Sequence, residues 1–259
     1  MSRPAGAASA AEAFSATAER YVESVAPALE PAAREVVARA RLEPADRVLD
    51  VGTGTGTAAG LAARSAREVV GLDAAPGMLD IARRTHPGVT FIEADFATIP
   101  FPDASFDVVI GVHAVMFAAD PTAVMVELRR VTRPGGRLSV SVPGPFELTP
   151  PGVFAEVYER FGLDAPPSGT TERDLAAWAR DGGWTEIETA ADPEYRLRLD
   201  GERGVRSWLA TGPRGTIATG WDATRRDALV AALLDASDRD VDGAVLFRFG
   251  ALYLTARRD

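Results

Sequence analysis

Cysteine, lysine, asparagine and glutamine are all missing from the 259 residues, so every one of the 28 basic residues is arginine. Without cysteine there is no disulfide, no thiolate nucleophile and no thiolate metal site. Without lysine there is no Schiff base and no phosphate-loop lysine. Histidine occurs only at positions 86 and 113, too few for a histidine-rich metal centre, and no metal is expected. Arginine in place of lysine, together with the missing asparagine, fits a GC-rich coding sequence. Long apolar runs are lacking too: nothing approaches the roughly 18 residues of a membrane span. The opening residues, Met1 to Ala11, lack the basic-then-apolar order of a signal peptide, which points to the cytoplasm. A formal charge of −9 disfavours a phosphate-backbone partner, so no nucleic acid is expected, and with no apolar span no membrane partner is expected either.

What remains is an ordinary globular composition, 46% hydrophobic and 25% charged, in a chain long enough for a sheet covered on both faces. The run Val48-Leu49-Asp50-Val51-Gly52-Thr53-Gly54-Thr55-Gly56-Thr57 reads as a buried strand turning tightly into a helix. Glycine there removes Cβ where the backbone bends and approaches a ligand, and the first N–H groups of the next helix are left for that ligand. Such a turn also occurs with no ligand at all. The following strand, Glu68 to Asp73, ends on an acid about twenty residues past the first glycine, the place where doubly wound folds hold a ribose diol.

Before this turn, Ser9 to Arg41 reads as two helices punctuated by Pro27 and Pro31. After it come a helix from Pro76, a third strand over Val89–Phe96, a nearly all-apolar strand into His113, a helix capped by Asp120-Pro121, and a fifth strand over Leu138–Val142. From Pro143 the texture becomes loop-rich with intervening helices, like a lid. A sixth strand is predicted over Thr185–Thr189, with Tyr195–Leu199 as its candidate extension, and a final one over Ala244–Ala256.

The glycine turn, Asp73, Glu93-Ala94-Asp95-Phe96, Phe101-Pro102-Asp103-Ala104-Ser105-Phe106-Asp107 and Leu128–Leu138 together resemble, in order and spacing, class I S-adenosylmethionine-dependent methyltransferases. Small-molecule enzymes of the ubiquinone and menaquinone biosynthesis type are the most similar in look. The resemblance is dense over about residues 45 to 142. It implies an α/β, doubly wound seven-stranded sheet of order 3-2-1-4-5-7-6, with the last strand antiparallel and a helical cap. No internal repeat, low-complexity tract or linker interrupts the sequence, so it reads as one domain: helices over 1–42, a cofactor-binding core over 43–142, a lid and cap with the sixth strand over 143–243, and the last strand over 244–259.

Carried over, Gly52, Thr53, Gly54 and Asp73 would meet the methionine and ribose of S-adenosyl-L-methionine. Ala74 and Met78 would lie beside the adenine, Asp95 at its amino group with Phe96 adjacent, and Val112 near the sulfonium. His113 is then either a general base or a packing histidine, because its ordinary pKa near 6.5 suits the first role and its strand-end position suits both. Tyr21, Phe117, Phe146 and Tyr158 are candidates to line the acceptor pocket, beside Phe154, Trp208 and Trp221. The implied activity is methyl transfer to O, N or C of a small, moderately apolar metabolite such as a phenol, quinol or polyketide-like compound. Two alternatives stand beside it. One is a protein of the same fold that binds the cofactor without transferring methyl. The other is a nicotinamide-dependent reductase, disfavoured because Thr57 stands where the dinucleotide fingerprint has its third glycine.

Overall fold

The computed structural model describes residues 10–144, 153–163, 170–211, 220–248 and 250–259. Five parallel strands run through the first half: β1 (Arg47–Val51), β2 (Glu68–Asp73), β3 (Thr90–Glu93), β4 (Phe106–Val112) and β5 (Thr132–Pro143). Later come β6 (Thr185–Asp192), β7 (Arg196–Leu199), β8 (Asp238–Arg239), β9 (Val245–Arg248) and β10 (Ala251–Arg257). The main sheet has seven strands in the order β3-β2-β1-β4-β5-β10-β6, and β10 is antiparallel to both of its neighbours. Counted within that sheet alone, this is the expected order with the expected antiparallel last strand.

The single final strand read from Ala244 to Ala256 is a misreading. Val245–Arg248 pairs instead with β7 and β8 in a separate three-stranded sheet, and Tyr195–Leu199 does not prolong β6. Gly250 makes the break: its φ of 55° lies outside the strand region, and its N–H donates to the Tyr195 carbonyl at 3.2 Å. The two apolar runs on either side of it belong to different layers.

Alternation along the central strands separates two cores. Leu49 and Val51 of β1 and Val109 of β4 face one side, where α5 (Pro121–Val131) and α7 (Glu172–Asp181) supply Val124, Leu128 and Leu175. Val48, Val108 and Ile110 face the other, against α2 (Ala18–Arg39), α3 (Thr57–Ala62) and α4 (Pro76–Thr85). The central strands β1 and β4 carry apolar side chains on both faces because helices cover both. Asp120 caps α5 as the sequence suggests, its carboxylate accepting the Ala123 N–H at 3.0 Å.

Pro27 and Pro31 do not punctuate two helices; both lie inside α2, which follows the short α1 (Ala10–Ala16). Four residues apart, they share the exposed side of α2, where water solvates the carbonyls that lost their N–H partners. The third strand is also shorter than read, so Asp95 and Phe96 lie in the loop beyond Glu93. The cap is built from β7, β9, α6 (Val153–Arg160), α8 (Gly201–Leu209) and α9 (Ala223–Asp235) around a third core that includes Trp208, Leu229 and Phe247.

One ion pair ties the start of this arrangement together. Asp46, 3% exposed, accepts the Glu43 N–H at 2.7 Å and pairs with Arg137 of β5, whose Nε donates to the Ala40 carbonyl just past α2. Removing Asp46 leaves a partly buried guanidinium and the Glu43 N–H without their carboxylate, so Asp46→Ala is expected to lower unfolding free energy by about 1.5–3 kcal/mol in urea denaturation. A loss below about 1 kcal/mol, the size of an exposed pair, would contradict that reading.

Candidate active site

All five parallel strands end at the same edge of the sheet, and β1 and β4, its neighbours in the middle, leave in opposite directions along the strand order. That is the switch point at which doubly wound sheets bind ligands. A cavity of about 560 Å³ opens there, a size suited to a cofactor-sized molecule together with a small one.

The turn after β1 forms its floor. Gly52 and Gly54 both have positive φ, 63° and 54°. A Cβ on Gly52 would fall 2.4 Å from the Ala114 Cβ, so only glycine lets the two loops approach, whereas a Cβ on Gly54 would meet nothing within 4 Å and would stand in the cavity. Asp73, at the end of β2, fixes the turn. Its carboxylate accepts the Gly54 N–H at 2.8 Å and the Ala75 N–H at 2.9 Å. Burial raises its pKa above the ordinary carboxylate value, and those backbone donors act against the rise.

Ala74, Met78, Asp95 and Phe96 line the cavity on the Asp73 side, and Val112, His113 and Ala114 line it beyond β4. Asp95 is exposed at the rim, its carboxylate accepting the Ala97 N–H at 2.8 Å. Thr53 is the exception among the expected cofactor residues. It does not line the cavity; its hydroxyl donates to Asp50 at 2.6 Å beneath the turn.

Of the expected acceptor residues, Tyr21 and Phe117 line the cavity, as does Trp208. Tyr158 does not: it is 3% exposed within the cap core. Trp221 stacks on Phe161, with ring centroids 6.1 Å apart, away from the cavity. Phe146 and the side chain of Phe154 lie outside the described residues.

Several lining residues went unread in the sequence. Phe14 of α1 packs edge-on against Phe117 at 5.4 Å and against Tyr21 at 6.2 Å, and Ala10, Ala11, Met116, Pro143 and Leu197 join it. The helical stripe carrying Phe14 and Tyr21 was the available signal, but a stripe of that kind equally describes a helix that only covers a sheet.

His113 occupies the left-handed region at φ 49°, an uncommon setting for a residue with a side chain. Its backbone N–H donates to the Ser141 carbonyl at 3.0 Å, and its Nδ1 lies 3.2 Å from the Ser141 Oγ. Its Nε2 is buried and has no hydrogen-bond partner among the described residues. Burial holds the pKa down to about 4, so the ring is neutral at physiological pH. A base that weak is poorly matched to a proton transfer near pH 7.

The charge of the lining discriminates between cofactors. Asp73, Asp95 and Asp120 contribute carboxylates, while none of the 28 arginines lines the cavity among the described residues. A pyrophosphate-bearing dinucleotide finds no cation here, whereas a sulfonium and an ammonium find carboxylates and open space over Gly54.

Residues 49–140 match the family model described as a methyltransferase domain. Over 167 residues the chain is 32% identical to a demethylmenaquinone methyltransferase of Renibacterium salmoninarum, covering 56% of this chain and 68% of that one. Over 254 residues it is 30% identical to a trans-aconitate 2-methyltransferase of Methylobacterium nodulans, covering 93% and 97%. The chain belongs to the class I S-adenosylmethionine-dependent methyltransferases. The YcgJ protein of Bacillus subtilis shares the fold, with a TM-score of 0.61 at 19% identity over 88% of this methyltransferase and 98% of that chain. S-adenosylmethionine is accordingly the cofactor. No helix among the described residues is long and apolar enough to cross a membrane.

Asp50 of the methyltransferase offers a test through pH. It is 1% exposed, and its pKa is raised to about 7, chiefly by burial, with the Thr53 hydroxyl and the Ala59 amide acting against the rise. Between the unfolded value of 3.8 and about 7 the folded state holds a proton that the unfolded state has released, so this group's contribution to stability falls as pH rises through that window. His113 acts in the opposite sense: from 6.5 down to about 4 only the unfolded state gains a proton, so its contribution is lost as pH falls. Replacing Asp50 by the non-titrating Asn isolates the first effect. The stability of Asp50→Asn relative to the parent is expected to rise by about 1.4 kcal/mol per unit between pH 4 and 7 in parallel urea titrations. A difference constant with pH would contradict the assignment.

Proposed function

We propose that this methyltransferase acts on a small, moderately apolar acceptor of the phenol, quinol or polyketide-like class, and that it does so as one domain. Residues 43–142 hold the cofactor, and the N-terminal helices with residues 143–243 shape the acceptor side. The observation that carries the acceptor class is the composition of the cavity away from Asp73. Phe14, Tyr21, Val25, Leu29, Met116, Phe117, Leu197 and Trp208 line it, and no cation among the described residues does. An acceptor with several carboxylates would shed its hydration against apolar walls with no guanidinium in return. A ring or polyketide skeleton exchanges water for aromatic and aliphatic contact, at roughly 25 cal/mol per Å² of apolar surface buried.

In this reading Asp73 receives the ribose hydroxyls on the lone pairs left by its two backbone donors, and Gly52 and Gly54 keep the floor flat enough for the methionine portion. Ala74 and Met78 flank the adenine, with Asp95 and Phe96 at the rim. Bound S-adenosylmethionine supplies a methyl carbon made electrophilic by the positive sulfur. The chain's own contribution is to align an acceptor with that carbon and to keep water out, which orientation alone can make worth several kcal/mol. Apolar α1, lying over the opening through Ala10, Ala11 and Phe14 and held by the Gly77 N–H on the Ser15 Oγ at 2.8 Å, provides the exclusion.

Methyl transfer from isotope-labelled cofactor, followed by mass spectrometry over a panel of phenols, quinols, β-dicarbonyl compounds and trans-aconitate, tests the acceptor class. Products are expected from the first three groups and none from trans-aconitate. Efficient labelling of trans-aconitate alone would overturn the proposal. Calorimetry addresses the cofactor side: Asp73→Ala is expected to weaken S-adenosylhomocysteine binding about 10- to 100-fold, as loss of a charged hydrogen-bonding partner does, and unchanged affinity would remove Asp73 from the site.

A further inference from the structure

The loop between β3 and β4 reaches the cavity through Asp95, Phe96 and Ala97, yet it has little packing of its own there: Asp95, Ala97 and Thr98 are exposed and Phe96 is only half-buried. Its position is therefore set at its two ends. The upstream end is tied to β2, where the Ala94 N–H donates to the Asp73 carbonyl at 3.0 Å. The downstream end is gripped by α5. Glu127 accepts the Ile99 N–H at 2.8 Å, while Arg130 donates to the Ile99 carbonyl at 3.0 Å and to the Phe101 carbonyl at 2.8 Å. Arg130 also meets both Glu127 oxygens and Asp103, each at 2.8 Å, so all five of its N–H donors are committed. Ile99 itself is 3% exposed, in the same core as Val124 and Leu128. The first turn of α5 lines the cavity through Ala123 and Val124, so one helix supplies part of the wall and holds the loop beside it.

We infer that Glu127 and Arg130 are positioning residues for the cofactor's base: by gripping Ile99 and Phe101 they set the loop so that the Asp95 carboxylate meets the adenine amino group. This rests on the placement of Asp95 proposed above and extends it to two residues that do not line the cavity. Within the loop, Asp95 is oriented locally, its carboxylate accepting the Ala97 N–H at 2.8 Å and its carbonyl the Thr98 N–H at 2.9 Å. Those bonds travel with the loop. Where the carboxylate stands relative to the rest of the cavity is decided by the anchors at Ala94 and Ile99, and a hydrogen bond weakens steeply once its geometry is lost. The effect is confined to one end of the ligand, because the ribose and the amino-acid portion fall to Asp73 and the glycine turn. Lysine could not replace Arg130, since a single ammonium cannot reach Ile99, Phe101 and both Glu127 oxygens as a planar fork does.

Calorimetry with two ligands reads this out: S-adenosylhomocysteine, and its analogue carrying hydrogen in place of the adenine amino group. The parent is expected to bind the first about tenfold more tightly, the worth of one hydrogen bond to a charged acceptor. In Glu127→Ala the affinity for S-adenosylhomocysteine is expected to fall about tenfold while that for the analogue changes less than about twofold, so the preference disappears. Arg130→Lys, which keeps the charge without the fork, is expected to lose the preference in the same way and serves if Glu127→Ala does not fold. Asp95→Ala is expected to abolish it too, and adding Glu127→Ala to Asp95→Ala is expected to cost nothing more. Equal weakening of both ligands, the mark of a general structural role, would overturn the inference, as would a preference that survives in the variants or losses that add. A parent with no preference would remove Asp95 from the adenine, and the inference would fall with it. A failure of the fork alone and a failure of the Asp95 placement are thus told apart by the parent.

Discussion

Asp73 is the constraint on which the site depends. A single carboxylate accepts one N–H from the turn after β1 and another from the start of α4. It thereby joins the ends of two neighbouring parallel strands and holds Gly54 open to solvent above the sheet. The same group is buried enough for its pKa to rise, and those backbone donors act against the rise. The Thr53 hydroxyl on Asp50 stiffens the turn from below. A turn fixed on both sides needs no rearrangement to receive a ligand, and preorganisation of that kind is where much binding energy is conserved.

Around that clasp the cavity divides by chemistry. Carboxylates cluster toward Asp73 and Asp95, aromatic and aliphatic side chains toward α1 and the cap, and the arginines stay outside in surface ion pairs such as Arg130 with Glu127 and Asp103. On the proposed reading, that separation would give a cationic cofactor and an apolar acceptor different halves of one space. His113 stands where the halves meet, as a neutral polar group in an otherwise apolar wall.

Most of the first 142 residues were legible because their signals are local. The glycine turn, the acid ending β2, the Asp120-Pro121 cap and the nearly all-apolar β4 each follow from a rule that needs no partner elsewhere in the chain. The misreadings share the opposite property. Two prolines within a turn of each other signal a break unless both fall on the solvated side of a helix, as Pro27 and Pro31 do. The division at Gly250 depends on β7 being there to receive β9, a pairing set by residues fifty positions apart in the chain and invisible in either strand alone. Thr53 and Tyr158 were placed by residue type at the site's address, but one turned down to Asp50 and the other was absorbed into the cap core. The contact between Ser141 and His113 was unreadable: a serine on a strand carries no mark until its neighbour on the next strand is known.

A crystal structure of the chain with S-adenosylhomocysteine tests the central claim most directly. The account places both ribose hydroxyls within hydrogen-bonding distance of the Asp73 carboxylate, the amino-acid portion over Gly54 and the sulfur beside Val112 and His113. Density for the ligand elsewhere, or Asp73 making no contact with the ribose, would contradict it.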